Sequence, residues 1–167
     1  MNFSLVIHQA DWQTVFEIPQ GTTLQKGRHG VYHEIIEAAA PISARFGCYS
    51  WANNSSIFYC GSFAQDYARG NFKSNLQGRV HNYLQNHGRK GTKRRNTNLM
   101  VFDKINERLK QSNVLLRLFT FESLDVGDDH VDFVTFSTKP EPELVHAVEQ
   151  LLISTYRRQE QCTWNRT

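Results

Sequence analysis

Gly47-Cys48-Tyr49-Ser50-Trp51-Ala52-Asn53-Asn54-Ser55-Ser56-Ile57-Phe58-Tyr59-Cys60-Gly61 is the stretch whose reading decides the fold. Two aromatic-rich runs flank Asn53-Asn54-Ser55, residue types that favour turns because their side chains hydrogen-bond the nearby backbone. The pattern predicts a β-hairpin that Gly61-Ser62 brings to an end. Its arms carry mirror-image triplets, Gly-Cys-Tyr and Tyr-Cys-Gly, so two phenols ten positions apart fall on adjoining strands. Taken singly, each tyrosine reads as a strand aromatic that packs and hydrogen-bonds. Their place beside glycines, where a backbone or a phosphate can approach closely, is the departure from that reading.

Outward from the hairpin, Leu76, Val80, Tyr83, Leu84 and His87 recur at helical spacing and predict an amphipathic helix over Ser74 to His87. Arg79 and Tyr83 lie one turn apart on it, beside the apolar stripe, which would bring the guanidinium out at the edge of the sheet. An interfacial arginine packed along its stem is the plain alternative. A glycine-bearing basic loop follows with Arg89, Lys90, Lys93, Arg94 and Arg95, either a solvated surface or a track for a polyphosphate. Asn96 or Thr97 can cap a second helix with its core face at Leu99, Phe102, Ile105 and Leu109. Asn113 to Phe121 predicts a central strand, Asp125 to Asp129 a turn, Val131 to Phe136 a further strand, and Glu143 to Arg158 a last helix. Before the hairpin, residues 1–45 read as an N-terminal extension with two short strands and a helix from Val31 to Ala40. The sum is α+β: a small, largely antiparallel sheet flanked by helices, with the second unit over residues 46–167.

In the last helix, Leu144, Ala147, Val148, Leu151 and Leu152 form the expected apolar stripe, and Val145 and Ile153 bracket Glu149. A carboxylate among apolar neighbours is costly to bury without a cation or donors. Glu149 is therefore either a boundary residue reaching water or a ligand to Mg²⁺, an ion that often takes only one or two protein carboxylates. Seven histidines without ligand spacing argue against zinc, and no glycine-rich nucleotide loop with its lysine is present. Asp125, Asp128 and Asp129 read as a solvated turn.

With 167 residues, 40% of them hydrophobic, the chain can bury one sizeable core. A net charge of +3 is too small to name a partner, so the placement of charge carries the argument. No apolar run approaches the ~20 residues of a membrane span, and the start of the chain lacks a signal-peptide pattern. Cys48, Cys60 and Cys162 have no metal-ligand spacing and cannot all pair, which suits a reduced, cytoplasmic setting.

These residues, in this order, resemble the GIY-YIG nuclease family. The triplets stand at 47–49 and 59–61 with cysteine in place of the usual central isoleucine. The family's helical arginine matches Arg79, and the His or Tyr one turn later matches Tyr83. The late glutamate matches Glu149 before Leu151-Leu152-Ile153, and the closing asparagine matches Asn165. The resemblance covers roughly residues 46 to 165. A longer insertion after Tyr59 blurs the family's lysine, for which Lys73 is the candidate, and an extra hairpin precedes Glu149.

The resemblance implies a catalytic set of Tyr49, Tyr59, Arg79, Tyr83, Glu149, Asn165 and Lys73. Tyr49 would be the general base with Tyr83 assisting, and a nearby cation would have to favour its ionised form. Arg79 would stabilise phosphate charge and Glu149 would hold one Mg²⁺, with Mn²⁺ a substitute. Tyr59 would orient phosphate or water, and Asn165 would brace the site. With no long DNA-binding tail and no second nuclease domain, the chain looks most like a type II restriction endonuclease acting on double-stranded DNA as a homodimer. Arg28 and His29, with Arg89, Lys90, Lys93, Arg94 and Arg95, would contact the DNA. A structure-selective repair or phage nuclease and a non-catalytic DNA-binding protein are the alternatives.

Overall fold

A computed structural model describes residues 5–8, 11–24, 31–39, 46–64, 76–84, 97–120, 123–126, 129–132 and 142–165. The hairpin forms, but Gly61-Ser62 does not end it: β3 (Phe46–Ala52) runs antiparallel to β4 (Ile57–Ala64), with Tyr49 opposite Gly61 and Trp51 opposite Tyr59. Asn53 makes the turn, its Oδ1 accepting from the backbone N–H groups of Ser55 (3.0 Å) and Ser56 (2.8 Å). The register then slips, because Ala52 pairs with Ile57 and leaves Phe58 as the extra residue of a β-bulge.

β5 (Val114–Thr120) pairs with β3 on one side and with β2 (Asp11–Ile18) on the other, giving a four-stranded antiparallel sheet ordered β2-β5-β3-β4. The near-continuous apolar run of β5 suits an interior strand covered on both faces. On the Tyr49 face pack α1 (Val31–Ala39), α2 (Leu76–Leu84) and α3 (Thr97–Leu109), which bury Ile35, Leu76, Val80, Val101, Ile105 and Leu109 against Trp51, Phe63, Val114 and Leu116. On the opposite face α4 (Pro142–Arg157) buries Val145, Val148, Leu152 and Ile153 against Cys48, Cys60 and Phe119. The fold is thus α+β, with β4 as an edge strand bordered by helices on both faces.

The division at residue 45 does not mark a packing boundary. Ile18, Leu24, Ile35 and Ala39 belong to the same core as Tyr49 and Trp51, and β2 is hydrogen-bonded along β5. The loop after β2 is also stitched to α3. Gly21 takes a positive φ of 84° and donates its N–H to the carbonyl of Leu109 (2.8 Å), while Leu24 donates to Asn106 Oδ1 (2.8 Å).

A second, three-stranded sheet joins β1 (Leu5–His8), β6 (Ser123–Val126) and β7 (Asp129–Asp132), all antiparallel. Asp125 and Asp129, read as turn residues, lie in its paired strands, because the hairpin turns over fewer residues than the acidic cluster suggested. Among the described residues no helix is long and apolar enough to cross a membrane.

After α4 the chain reverses through Glu160 (φ 60°) and Cys162 (φ 53°), both left-handed without being glycine. Such a residue costs roughly 1–2 kcal/mol, and here the turn aims the tail along β4. Cys162 donates to the carbonyl of Ile57 (2.7 Å) and Trp164 to that of Phe58 (2.9 Å), so residues 162–165 cover part of the sheet edge.

Candidate active site

Tyr49 from β3, Tyr59 from β4 and Tyr83 from α2 bring their hydroxyls into one chain. Tyr49 Oη lies 2.5 Å from Tyr83 Oη, and Tyr83 Oη 3.1 Å from Tyr59 Oη. Helical spacing delivers Tyr83: Leu76, Val80 and Tyr83 turn one face of α2 into the core, and Arg79 sits a turn before Tyr83 on the exposed border. The glycine of the second triplet has a steric cause. A Cβ on Gly61 would lie 2.5 Å from Tyr49 Oη and 2.6 Å from its Cζ, so only glycine lets the ring lie across β4. Gly47 gives Phe63 similar but looser room, with a Cβ contact of 3.1 Å to Cζ.

Burial sets the protonation of this cluster. Tyr49 is only 1% exposed and Tyr83 4%, while Tyr59 is half-buried. All three phenols are raised above their ordinary range, first by removal from water; the positive charge of Arg79 opposes this but is outweighed. The expectation that a cation would leave Tyr49 ionised is therefore corrected: at neutral pH the resting phenols are protonated. Tyr83, in the middle, is singled out within the group. Its ionised form would accept hydrogen bonds from both Tyr49 and Tyr59, and these two bonds pull its pKa down while the same bonds push theirs up.

Glu149 occupies a different position from the one expected. It projects from α4, on the opposite face of the sheet from Tyr49, because α4 packs over Cys48 and Cys60, not over Tyr49 and Tyr59. Ser62 Oγ donates to Glu149 Oε2 (2.5 Å), and His146 Nδ1 lies 3.2 Å from the same oxygen. The carboxylate is 14% exposed. Edge strand β4 separates it from the phenols, yet its charge still reaches them, raising Tyr59 and Tyr83. The apolar stripe of α4 also runs differently from its reading. Val145, Val148, Leu152 and Ile153 are buried, whereas Leu151 is 40% exposed, since the buried arc is rotated toward Val145 and Ile153.

Asn165 spans both backbone groups of Cys60, its Oδ1 accepting from Cys60 N (2.9 Å) and its Nδ2 donating to Cys60 O (2.7 Å). Arg157 Nη2 donates in turn to Asn165 O (2.9 Å). The central cysteines of both triplets are buried on the α4 face, and Cys60 Sγ lies 3.3 Å from Cys162 Sγ. Lys73, Arg28, His29, Arg89, Lys90, Lys93, Arg94 and Arg95 lie outside the described residues.

Among the described residues no three of His, Cys, Asp and Glu gather as a metal site. One carboxylate with a serine hydroxyl beside it is a sparse, oxygen-rich donor set. It fits Mg²⁺ completed by water and phosphate better than a metal held wholly by protein. Two members of the site escaped sequence reading. Ser62 directly follows the Tyr-Cys-Gly triplet, and His146 stands one helical turn before Glu149; those spacings were the available signals. Comparison with protein-family models, with curated proteins and with solved structures finds no match to this chain.

Proposed function

We propose that this chain is a metal-dependent endonuclease of the GIY-YIG type that hydrolyses phosphodiester bonds in double-stranded DNA, most simply as a homodimeric type II restriction enzyme. The observation that carries the reading is the three-phenol chain bordered by Arg79, with a carboxylate across the same edge strand. The order of the donors bears on the chemistry. A phenol has one hydrogen, so when Tyr83 gives its own to Tyr59, the 2.5 Å contact requires Tyr49 to donate to Tyr83. The hydrogen of Tyr59, the most exposed of the three, is then left for a ligand at the edge of β4.

In this reading the proton of the attacking water passes to Tyr59 as Tyr59 gives its own to an ionised Tyr83. Tyr49 does not meet water directly; it holds the inner end of the chain and donates to the Tyr83 phenolate. The exposed guanidinium of Arg79 supplies charge to a phosphate and to the phenolate. Glu149, held by Ser62, would bind Mg²⁺ or Mn²⁺; when bound, the ion supplies positive charge against the leaving 3′ oxygen. Asn165 fixes the strand segment that carries Tyr59 by occupying the backbone of Cys60. Products would carry a 5′ phosphate.

The placement of Glu149 on the opposite face favours one rival, a DNA-binding protein without catalysis. Plasmid incubated with purified protein and Mg²⁺, followed by sequencing of the ends, separates the readings. Discrete fragments support restriction, a smear supports a structure-selective nuclease, and intact plasmid in Mg²⁺ and Mn²⁺ refutes the endonuclease.

A further inference from the structure

The C-terminal half of α3 and the tail enclose an open cleft of about 570 Å³, whose walls include Lys104, Arg108, Lys110, Glu107, Thr163 and Trp164. Three cations face one carboxylate there. Lys104 and Arg108 are one turn apart on the same side of α3, a like-charge spacing that weakens an isolated helix. Among the described residues none of the three cations forms an ion pair, although Glu107 stands between them in sequence.

Two of the cations are held in place. Arg108 Cζ lies 4.4 Å from the ring centre of Phe58, and Lys104 Nζ 5.8 Å from that of Trp164. The two rings stack on each other with centroids 5.0 Å apart. The ring faces hold the charged heads themselves at the cleft, and Arg108 Nη1 also donates to Gln111 Oε1 (3.4 Å), so less side-chain freedom is lost when an anion binds. The cleft also adjoins the candidate active site through covalent structure. Phe58 and Ser62 lie on one strand, roughly 13 Å apart at ~3.3 Å per residue, and Trp164 precedes the asparagine that clasps Cys60.

We propose that this cleft is a docking site for the phosphate backbone of duplex DNA, holding the strand to one side of the bond to be cut. Its identity as a DNA contact rests on the nuclease reading, and its character as a polyanion site rests on the held, unpaired cations. An open cleft with cations on aromatic faces suits a repeating chain of phosphates, where each contact displaces a condensed counterion.

The test is fluorescence anisotropy of a short labelled duplex of mixed sequence, titrated with protein in EDTA over a range of KCl concentrations. Without divalent metal the readout does not depend on Glu149 or on cutting. The triple substitution K104Q/R108Q/K110Q keeps a polar side chain at each position and removes the charge. It is expected to weaken binding at low salt by about tenfold or more and to reduce the slope of log K against log[KCl] by about two to three. Lys110→Gln alone, at an exposed position, is expected to reduce the slope by about one, and it serves if the triple variant fails to fold. An unchanged slope in the folded triple variant, or in Lys110→Gln should the triple variant not fold, overturns the proposal. The outcomes separate it from the nuclease reading. Salt-sensitive binding lost in the variants of a protein that never cuts keeps the cleft and removes the nuclease. Cutting by a wild type whose variants bind with unaltered slope does the reverse, and a wild type that binds no duplex removes the cleft as a DNA site.

Discussion

Replacing Gly61 by alanine tests the geometry of the site without any assumption about its function. The new Cβ would stand 2.5, 2.6 and 2.9 Å from Tyr49 Oη, Cζ and Cε1. The ring is therefore about 0.9 Å too close for ordinary contact. Tyr49 cannot swing aside, because it is 1% exposed and packed among Tyr59, Phe63 and Tyr83, with ring centroids 6.1 to 6.4 Å away. A displacement of that size would stretch the 2.5 Å hydrogen bond to Tyr83 to its limit. Overpacking of a tight core costs about 1–3 kcal/mol, and a buried hydroxyl left without its partner costs about 1–3 kcal/mol more. The expected loss is about 4 kcal/mol, the middle of that combined range, which for a chain of this size lowers Tm by roughly 8–16 °C. Thermal melts followed by circular dichroism measure it. Gly47→Ala, whose nearest contact is 3.1 Å, is expected to cost clearly less. A double variant, Tyr49→Ala with Gly61→Ala, removes the clash, so the two changes should couple by about 1–3 kcal/mol. If Gly61→Ala melts within about 0.5 kcal/mol of wild type, the ring does not cross β4 here and the three-phenol chain is misplaced.

On the proposed nuclease reading, the raised phenols set the pH dependence of cleavage. Because the neutral forms dominate below their pKa values, the ionised fraction, and with it the rate, should climb about tenfold per pH unit between about pH 6 and pH 9. Tyr83→Phe should abolish that climb and lower turnover by about 10²–10⁴; a level wild-type profile would remove the phenolate base. Glu149→Ala is expected to eliminate Mg²⁺-dependent cleavage while duplex binding in EDTA persists, and unaltered cutting would detach the metal from that carboxylate. Arg79→Ala should slow turnover by about 10²–10³ with a melting curve like that of wild type, since its side chain is exposed; full activity would retire its role. Asn165→Ala strands both backbone groups of Cys60 and should cost about 1–3 kcal/mol in a urea melt, and an unshifted midpoint would show that the tail does not clamp β4.

The local features of the site were legible in the sequence, and its sidedness was not. Asn53 in the turn, the glycines opposite bulky rings and the i, i+4 pair Arg79–Tyr83 are set by neighbours in the chain, which is why the hairpin and α2 could be read from residue types. The union of β2 with β5 depends on partners about a hundred positions apart, and no local pattern encodes it. Helical periodicity showed that Glu149 borders an apolar arc but could not say which face of the sheet that arc covers. The same blindness made Leu151 look buried. The electrostatic expectation failed for a related reason: the influence of Arg79 on the phenols is visible as proximity, whereas the burial that outweighs it appears only once α2 closes over β3 and β4.

The clasp of residues 162–165 on β4 orders events during synthesis. The outer rim of that strand offers unpaired amides and carbonyls until Cys162, Trp164 and Asn165 arrive to take them. Every other described element leaves the ribosome before them. A nascent chain therefore carries an open, adhesive border and an unbraced Tyr59 until residues 162–165 have been made, and their arrival both closes the border and braces Cys60 beside that phenol.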